Sequence, residues 1–187
     1  MTLAQIMTLA LRQLDEDTAD IDEYEDLFRR YANEGLDLAA SQFYKPKETM
    51  TLHTDEDGRA GLYGIDAVRR IIAVTDENGR AVWYEISLDG ESLITPLRDA
   101  DVTLIYERRV RMLKNAEDEP ELPEHAHASL ADYICYRHLS GGNLAKQSRA
   151  QHYLQMFHQG MSRIRPQGDG SVRRMRNLYA ATGIRSR

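Results

Sequence analysis

The spacing of apolar residues predicts two helices at the start of the chain. Over residues 2–14, Thr2 and Gln5 fit a capping box, and apolar side chains recur at helical spacing at Leu3, Ile6, Met7, Ala10 and Leu14. A second helix is predicted over residues 20–40, with Asp20 as its N-cap and an apolar stripe at Tyr24, Leu27, Phe28, Tyr31 and Leu38. We expect both helices to belong to a helical bundle.

After Lys45-Pro46 the period of the apolar positions changes from 3.6 to 2, which predicts strands. Asp57-Gly58, Asn78-Gly79 and Asp89-Gly90 are typical of turns, and Asn78-Gly79 lies between two β-branched and aromatic runs, as in a β-hairpin. One face of the second strand is predicted to carry Val82, Tyr84, Ile86 and Leu88, and a later strand alternates at Val102, Leu104 and Tyr106. The pattern predicts a small antiparallel sheet over about residues 48–113.

Two further helices follow residues 116–124, an acidic stretch with two prolines that we interpret as an exposed connector. The third helix is predicted over residues 123–139 and stops at Gly141-Gly142, and Asn143 caps a fourth over residues 143–164. The fourth helix has its apolar stripe at Ala150, Tyr153, Leu154, Phe157, Met161 and Ile164. The short loop favours antiparallel packing. The predicted class is α+β: mainly a helical bundle of two N-terminal helices plus a C-terminal helical hairpin, with a small antiparallel β-sheet inserted in the middle and an extended C-terminal arm.

Composition adds an asymmetry of charge to this picture. A length of 187 residues with 42% apolar residues suits one compact domain, and a single cysteine excludes an internal disulfide. No apolar run approaches the roughly 20 residues that cross a bilayer, and the start of the chain does not resemble a signal peptide, so we expect a soluble protein made in the cytoplasm. Residues 163–187 contain seven arginines and one acid, which gives this segment a net charge of +6. Since the whole chain has a net charge of −6, residues 1–162 have a net charge of −12.

This asymmetry divides the chain into a body, residues 1–165, and an arginine-rich arm, residues 166–187. Arginine pairs bidentately with carboxylates, and apolar residues alternate with the arginines, so the arm suits docking on a protein. Val172, Met175 and Tyr179 have the spacing of a short helix that forms on binding. The candidate docking residues are Arg173, Arg174, Met175, Arg176, Leu178 and Tyr179. Two alternatives remain: a nucleic-acid-binding arm, as in a packaging or regulatory protein, and an untethered solubilising tail.

The stretch HAHASLADYICYRH, residues 125–138, contains three histidines and the cysteine, which raises the question of a zinc site. On a helix, the Cα atoms of His127 and His138 are roughly 16 Å apart, too far to share an ion. Cys135 and His138 have suitable spacing but need two more ligands, for which His152 and His158 are the candidates. We interpret Cys135 as a small buried side chain and the histidines as polar helix positions, and we predict no metal and no cofactor; a small metalloprotein is the alternative.

No catalytic motif is present. The sequence lacks a G-x-S-x-G elbow, a P-loop and an H-E-x-x-H motif. Asp15, Glu16 and Asp17 lack the ligand order of a calcium loop and are typical of a solvated turn. We predict no catalytic residues, and therefore a protein that is not an enzyme.

The order of elements resembles that of tailed-bacteriophage head-to-tail connector proteins, also called neck adaptor or head completion proteins. The resemblance lies in the opening helix MTLAQIMTLALRQL, the acidic-proline entry LPEHAHASLADYICYRHL and the closing helix AKQSRAQHYLQMFHQGMSRIR. It covers about residues 1–165, with a β segment that is longer than in the smallest adaptors.

The resemblance implies a structural virion protein, assembled in the host cytoplasm. Such proteins form a ring, commonly of twelve copies, below the portal; the ring extends the DNA channel and provides the attachment platform for the tail. The implied partners are the portal protein, a downstream tail or neck protein and further copies of the chain, with no membrane. Genomic DNA would pass through the lumen without sequence-specific binding, which an acidic body favours because it repels phosphates.

Overall fold

The computed structural model describes residues 1–15, 21–62 and 68–164, which form four α-helices and two small β-sheets. The helices are α1 (Leu3–Gln13), α2 (Ile21–Ala39), α3 (His127–Leu139) and α4 (Leu144–Met161). A π-helical segment, Ala40–Tyr44, continues α2, and a 3-10 turn, Glu124–Ala126, precedes α3. The strands are β1 (Lys47–His53), β2 (Arg59–Gly61), β3 (Val68–Thr75), β4 (Ala81–Val82), β5 (Glu85–Ile86), β6 (Ser92–Ile94) and β7 (Asp101–Arg108). The predicted α+β class is confirmed.

The helices enclose the larger of two apolar cores. All five predicted positions of the α1 stripe are buried, and the Thr2–Gln5 capping box forms as expected. Aromatic and aliphatic side chains from all four helices fill the centre: Leu3, Ile6, Met7, Phe28, Leu36, Leu130, Ile134, Phe157 and Met161. Each large side chain buried in this way contributes about 1.5–3 kcal/mol, so burial of the apolar stripes stabilises the bundle.

Helices α3 and α4 form the predicted antiparallel hairpin. The Asn143 side chain caps α4 by accepting a hydrogen bond from the backbone N–H of Lys146, at 3.1 Å. The rings of Tyr133 and Phe157 lie 5.0 Å apart between the helices. The two helices pack closely at Gly160: a Cβ built there would lie 1.9 Å from the Ser129 Oγ and 2.9 Å from the Ser129 Cβ. Glycine is therefore needed at residue 160 for this close packing.

The β region contains two antiparallel sheets, where the sequence predicted one. The first has the strand order β1-β7-β3-β4 and the second β2-β6-β5. Alternation in β7 is as predicted, with Val102, Leu104 and Tyr106 buried in a second, smaller core. Three turns contain a glycine in the left-handed region: Gly58, Gly79 and Gly90, with φ of 78°, 74° and 76°. The predicted turns are confirmed.

The strand predicted to carry Val82, Tyr84, Ile86 and Leu88 on one face is interrupted. β4 pairs with β3, whereas β5 pairs with β6 in the other sheet. Val82 and Tyr84 pack against the smaller core, but Ile86 and Leu88 are exposed. The change of partner strand between residues 82 and 85 breaks the two-residue period, and Leu88 then lies in the tight turn closed by the hydrogen bond from Gly90 N–H to Ser87 O.

The acidic connector is not simply exposed, because its backbone completes the first turn of α1. The N–H groups of Leu3 and Ala4 donate to the carbonyls of Asp118 and Ala116, at 2.8 and 3.0 Å. The next N–H, that of Gln5, donates to the Thr2 side chain. A helix start leaves four N–H groups without partners inside the helix, and here the connector accepts hydrogen bonds from two of them. Pro120 and Leu122 are buried as a result.

One side chain of α2 fixes the segment that leads out of β7. The Asn33 side-chain amide donates to Leu113 O at 2.9 Å, and its oxygen accepts from Leu113 N–H at 2.7 Å. Leu113 itself and Val110, three residues before it, are buried in the helical core. The β region is therefore anchored to the bundle directly after its central strand.

The carboxyl of Asp132 is partly buried between helices. Burial raises its pKa from the ordinary 3.8 to about 6, against the opposing effects of the hydrogen bond from Gln13 Nε2 and the charge of His152. Near neutral pH this site therefore holds a carboxylate that its surroundings disfavour.

We predict that Gly160→Ala destabilises the protein by about 1–3 kcal/mol. Helix propensity alone would make the alanine variant more stable than the glycine protein by about 1 kcal/mol. A loss of stability would therefore show that close packing at residue 160 excludes the added Cβ. The control is Gly141→Ala, where an added Cβ meets no described atom within 4 Å, and we expect a change within about 0.5 kcal/mol. Chemical denaturation measures both; an unchanged or increased stability of Gly160→Ala would contradict the close approach of α3 and α4.

We predict that Asp132→Asn raises the melting temperature at about pH 8 and has little effect at about pH 4. The folded-state pKa is raised, so the stability linked to a protonated Asp132 is complete below about pH 4 and is lost as the pH rises through about 6. The amide stays neutral and can still accept from Gln13. Asp57→Asn, in an exposed turn, is the control. A melting-temperature difference that does not vary with pH would contradict the prediction.

Candidate docking surfaces

The six docking residues predicted from the sequence, Arg173, Arg174, Met175, Arg176, Leu178 and Tyr179, lie outside the described residues. The described part of the chain ends at residue 164. The surfaces described below therefore belong to the body.

An arginine-lined groove lies where β3 and β7 meet α2. It has a volume of about 650 Å³ and is lined by Asp37, Arg69, Arg108, Arg109, Val110, Arg111 and Met112. The arginines come from the start of β3, from the last residue of β7 and from the segment that follows, which the Asn33–Leu113 hydrogen bonds hold against α2. Four arginines against one carboxylate give this groove a positive charge in an otherwise acidic body.

Two of the four arginines have partners inside the protein. Arg108 donates to Glu121 at 2.6 Å, and Arg69 contacts Asp37 at 3.3 Å. Partial burial alone would raise the pKa of the Glu121 carboxyl, but hydrogen bonds from Arg108 and from the Arg111 backbone hold that pKa below its usual value. The Arg108–Glu121 pair is therefore ionised at neutral pH, and both contacts brace the wall of the groove.

The other two arginines, Arg109 and Arg111, are exposed. They stand on either side of buried Val110, two residues apart in the segment that follows β7. The arginine-lined groove adjoins a second groove of about 480 Å³, and Asp37 and Met112 line both. Met112 is 49% exposed, so the surface combines two exposed guanidinium groups with an apolar side chain. This combination suits a protein partner that presents carboxylates.

Sequence reasoning missed this groove because it concentrated on the arginine-rich arm. The signal was present as two arginine pairs, Arg69-Arg70 and Arg108-Arg109, one at the start of β3 and the other at the end of β7. Because these strands are antiparallel neighbours, the start of one lies beside the end of the other; Val68 pairs with Arg108.

A second surface feature is a set of exposed apolar side chains around β5. Trp83 is 63% exposed, and Ile86 and Leu88 are more than a third exposed, with Leu88 at the tip of a turn. Large apolar groups clustered on a surface are typical of contact sites. They come from the segment that was predicted to be one strand with Val82, Tyr84, Ile86 and Leu88 on a single face, so the sequence pattern did not reveal them.

The histidine- and cysteine-containing helix is part of the core. Cys135 is buried, and its thiol donates towards Gln13 Oε1 of α1 at 3.2 Å, whereas the ring of His138 packs edge-on against Tyr24 and Phe28 of α2. His158 stacks near Phe43. The candidate ligands thus contact different neighbouring elements. Within residues 1–15, 21–62 and 68–164, no group of three or more His, Cys, Asp or Glu side chains is placed to hold a metal ion.

The interpretation of the histidines as polar helix positions is wrong for His127. This side chain is only 4% exposed, and its Nε2 donates to the carbonyl of Leu122 at 2.8 Å. Its Nδ1 lies 2.9 Å from the backbone nitrogen of Met1. Hydrogen bonding at both ring nitrogens satisfies the buried imidazole and joins the entry of α3 to the start of α1, which is a structural role.

Comparison with known protein families identifies the family of this chain. The family model described as SU10 adaptor protein matches residues 1–179. No curated protein matches the chain. No helix in the part of the chain that the structure describes has the length and apolar character to cross a bilayer. The match covers more than nine-tenths of the sequence, so the chain belongs to the SU10 adaptor protein family, a family of structural head-to-tail adaptors of bacteriophage particles.

Proposed function

We propose that this adaptor forms a ring below the phage portal, with twelve copies, that extends the DNA channel and carries the next tail or neck component. The observation that carries the proposal is the family match, because it includes the helical body, the β region and the arm up to residue 179. The predicted docking residues, which end at Tyr179, all fall inside the matched range.

The charge distribution supports a ring through which DNA passes. Residues 1–162 carry a net charge of −12, so a lumen formed by the body would repel the phosphate backbone and let the duplex slide. The arm has the opposite charge and is suited to a different surface. We propose that the arm binds the portal, with Arg173, Arg174 and Arg176 contacting carboxylates, and with Met175, Leu178 and Tyr179 filling apolar pockets between portal subunits.

The end of α4 is built into the helical core of the body. The apolar stripe of α4 ends inside the core, with Met161 and Ile164 buried. The hydrogen bonds that complete α1 and α4 come from residues before 165. The described body thus buries the end of its last helix.

We predict that deletion of residues 166–187 leaves the melting temperature of the body within a few degrees of the full chain and abolishes attachment to the portal. Co-sedimentation of the purified adaptor with portal rings measures attachment, and circular dichroism measures the fold. The matched pair of variants is Arg173→Gln/Arg174→Gln/Arg176→Gln, expected to lose binding, and Arg185→Gln/Arg187→Gln, expected to keep it because both lie beyond the family match. Normal attachment of the truncated protein would refute the role of the arm.

The competing function, a nucleic-acid-binding module, makes a different prediction. An arm that binds DNA would give a duplex affinity in the micromolar range that falls steeply with salt. The adaptor proposal predicts weak binding of the full chain, because the acidic body opposes it. Fluorescence anisotropy with a labelled duplex at several salt concentrations separates the two, and tight, salt-sensitive binding together with no affinity for the portal would favour the module.

A further inference from the structure

The four-stranded sheet carries opposite charges at its two ends. β1 and β3 run in the same direction on either side of β7, because both pair with it antiparallel. The turn after β1 and the turn after β3 therefore emerge side by side, next to the start of β7, where His53 pairs with Asp101 and Thr75 with Thr103. The arginine-lined groove lies at the other end of β7.

The two turns are near copies of each other. Residues 54–60 read TDEDGRA and residues 75–81 read TDENGRA. Asp55 Oδ1 accepts from the N–H groups of Asp57 and Arg59, and Asp76 Oδ1 accepts from those of Asn78 and Arg80, all at 2.7–2.9 Å. Gly58 and Gly79 have the same left-handed conformation. The first aspartate of each turn thus fixes the turn itself.

The carboxylates at the tips of these turns remain directed to solvent. Glu56, Asp57 and Glu77 are all exposed. Taken together, the two turns carry five carboxylates and two arginines, so this end of the sheet is negative. Asp55 and Asp76 are explained by the hydrogen bonds with which they stabilise their own turns. Those bonds do not explain why Glu56 and Glu77 occupy the same position at the tip of each turn.

One copy of the chain cannot bring these two surfaces together. β7 contains eight residues, and at about 3.3 Å per residue it separates the turns from the groove by roughly 23 Å. Two complementary surfaces at opposite ends of a rigid element fit a heterologous contact, in which one face of a subunit binds a different face of the next. Repetition of that contact closes a ring when the rotation between subunits permits it.

We propose that the arginine-lined groove of one copy binds the paired acidic turns of a second copy, with Arg109 and Arg111 contacting Glu56, Asp57 and Glu77. The contact rests on the proposed ring function, and it assigns the surfaces that join neighbouring subunits. Charge-assisted pairs of this kind fix register and exclude wrong orientations. A DNA phosphate would also fit the two arginines, but DNA would not explain a matching negative surface at the far end of the same sheet.

The test uses charge reversal in the full-length chain. Arg109→Glu/Arg111→Glu and, separately, Glu56→Lys/Glu77→Lys should each reduce ring formation on portal about tenfold or more, because like charges then face each other. The chain that carries all four substitutions should recover assembly, since the pairs are restored with opposite sign. Arg163→Glu and Glu23→Lys, at exposed positions that neither line the groove nor belong to the two turns, are the controls. Ring occupancy is counted in electron micrographs, and melting temperatures confirm that each variant is folded.

The outcomes separate this contact from the ring function itself. If the unmodified chain forms rings and both single-surface variants form rings equally well, the assigned contact is wrong and the ring stands. If the unmodified chain never associates with portal, the proposed function fails. Loss of duplex-DNA affinity in Arg109→Glu/Arg111→Glu with normal ring formation would assign the groove to nucleic acid and overturn the proposal, as would failure of the four-substitution chain to recover while it remains folded.

Discussion

The fold depends on one requirement. The backbone N–H groups at the start of α1 have no partner inside the helix and must find acceptors elsewhere. Two of them are satisfied by the carbonyls of Ala116 and Asp118, which lie more than a hundred residues away along the chain. The segment that supplies them is held at one end by the two hydrogen bonds between Asn33 and Leu113 and at the other by burial of Leu122 beneath His127. Residues 110–122 therefore join the β region, the first helix and the helical hairpin in one structure.

The position of residues 110–122 also fixes the arginine-lined groove, because part of this segment lines it. Arg109 and Arg111 flank Val110, whose burial in the helical core sets the direction of the segment. Glu121, from the far end of the same segment, pairs with Arg108 and braces the groove wall. A binding surface held by rigid elements loses little conformational freedom on association, which suits a subunit that repeats the same contact around a structural assembly.

Local signals made much of the fold predictable, and long-range pairing explains what was missed. The Thr2–Gln5 capping box, the Asn143 cap, the Asn78-Gly79 turn and the alternation of β7 each depend on a few neighbouring residues. By contrast, three features depend on partners that are distant in sequence. They are the hydrogen bonds of the connector to α1, the buried position of His127 and the change of sheet between β4 and β5. The groove is of the second kind, since its arginines meet only through the register of β3 and β7.

The account has as its central claim that the adaptor is a ring-forming subunit attached to the portal. Electron microscopy of portal rings incubated with the full-length protein tests it most directly, because averaged end-on views count the copies and show whether a channel stays open. The account predicts a continuous layer of twelve copies around an open axial channel on one face of the portal. Adaptor density that is off the axis, or that closes the channel, or portal rings without any added layer at saturating protein, would contradict it.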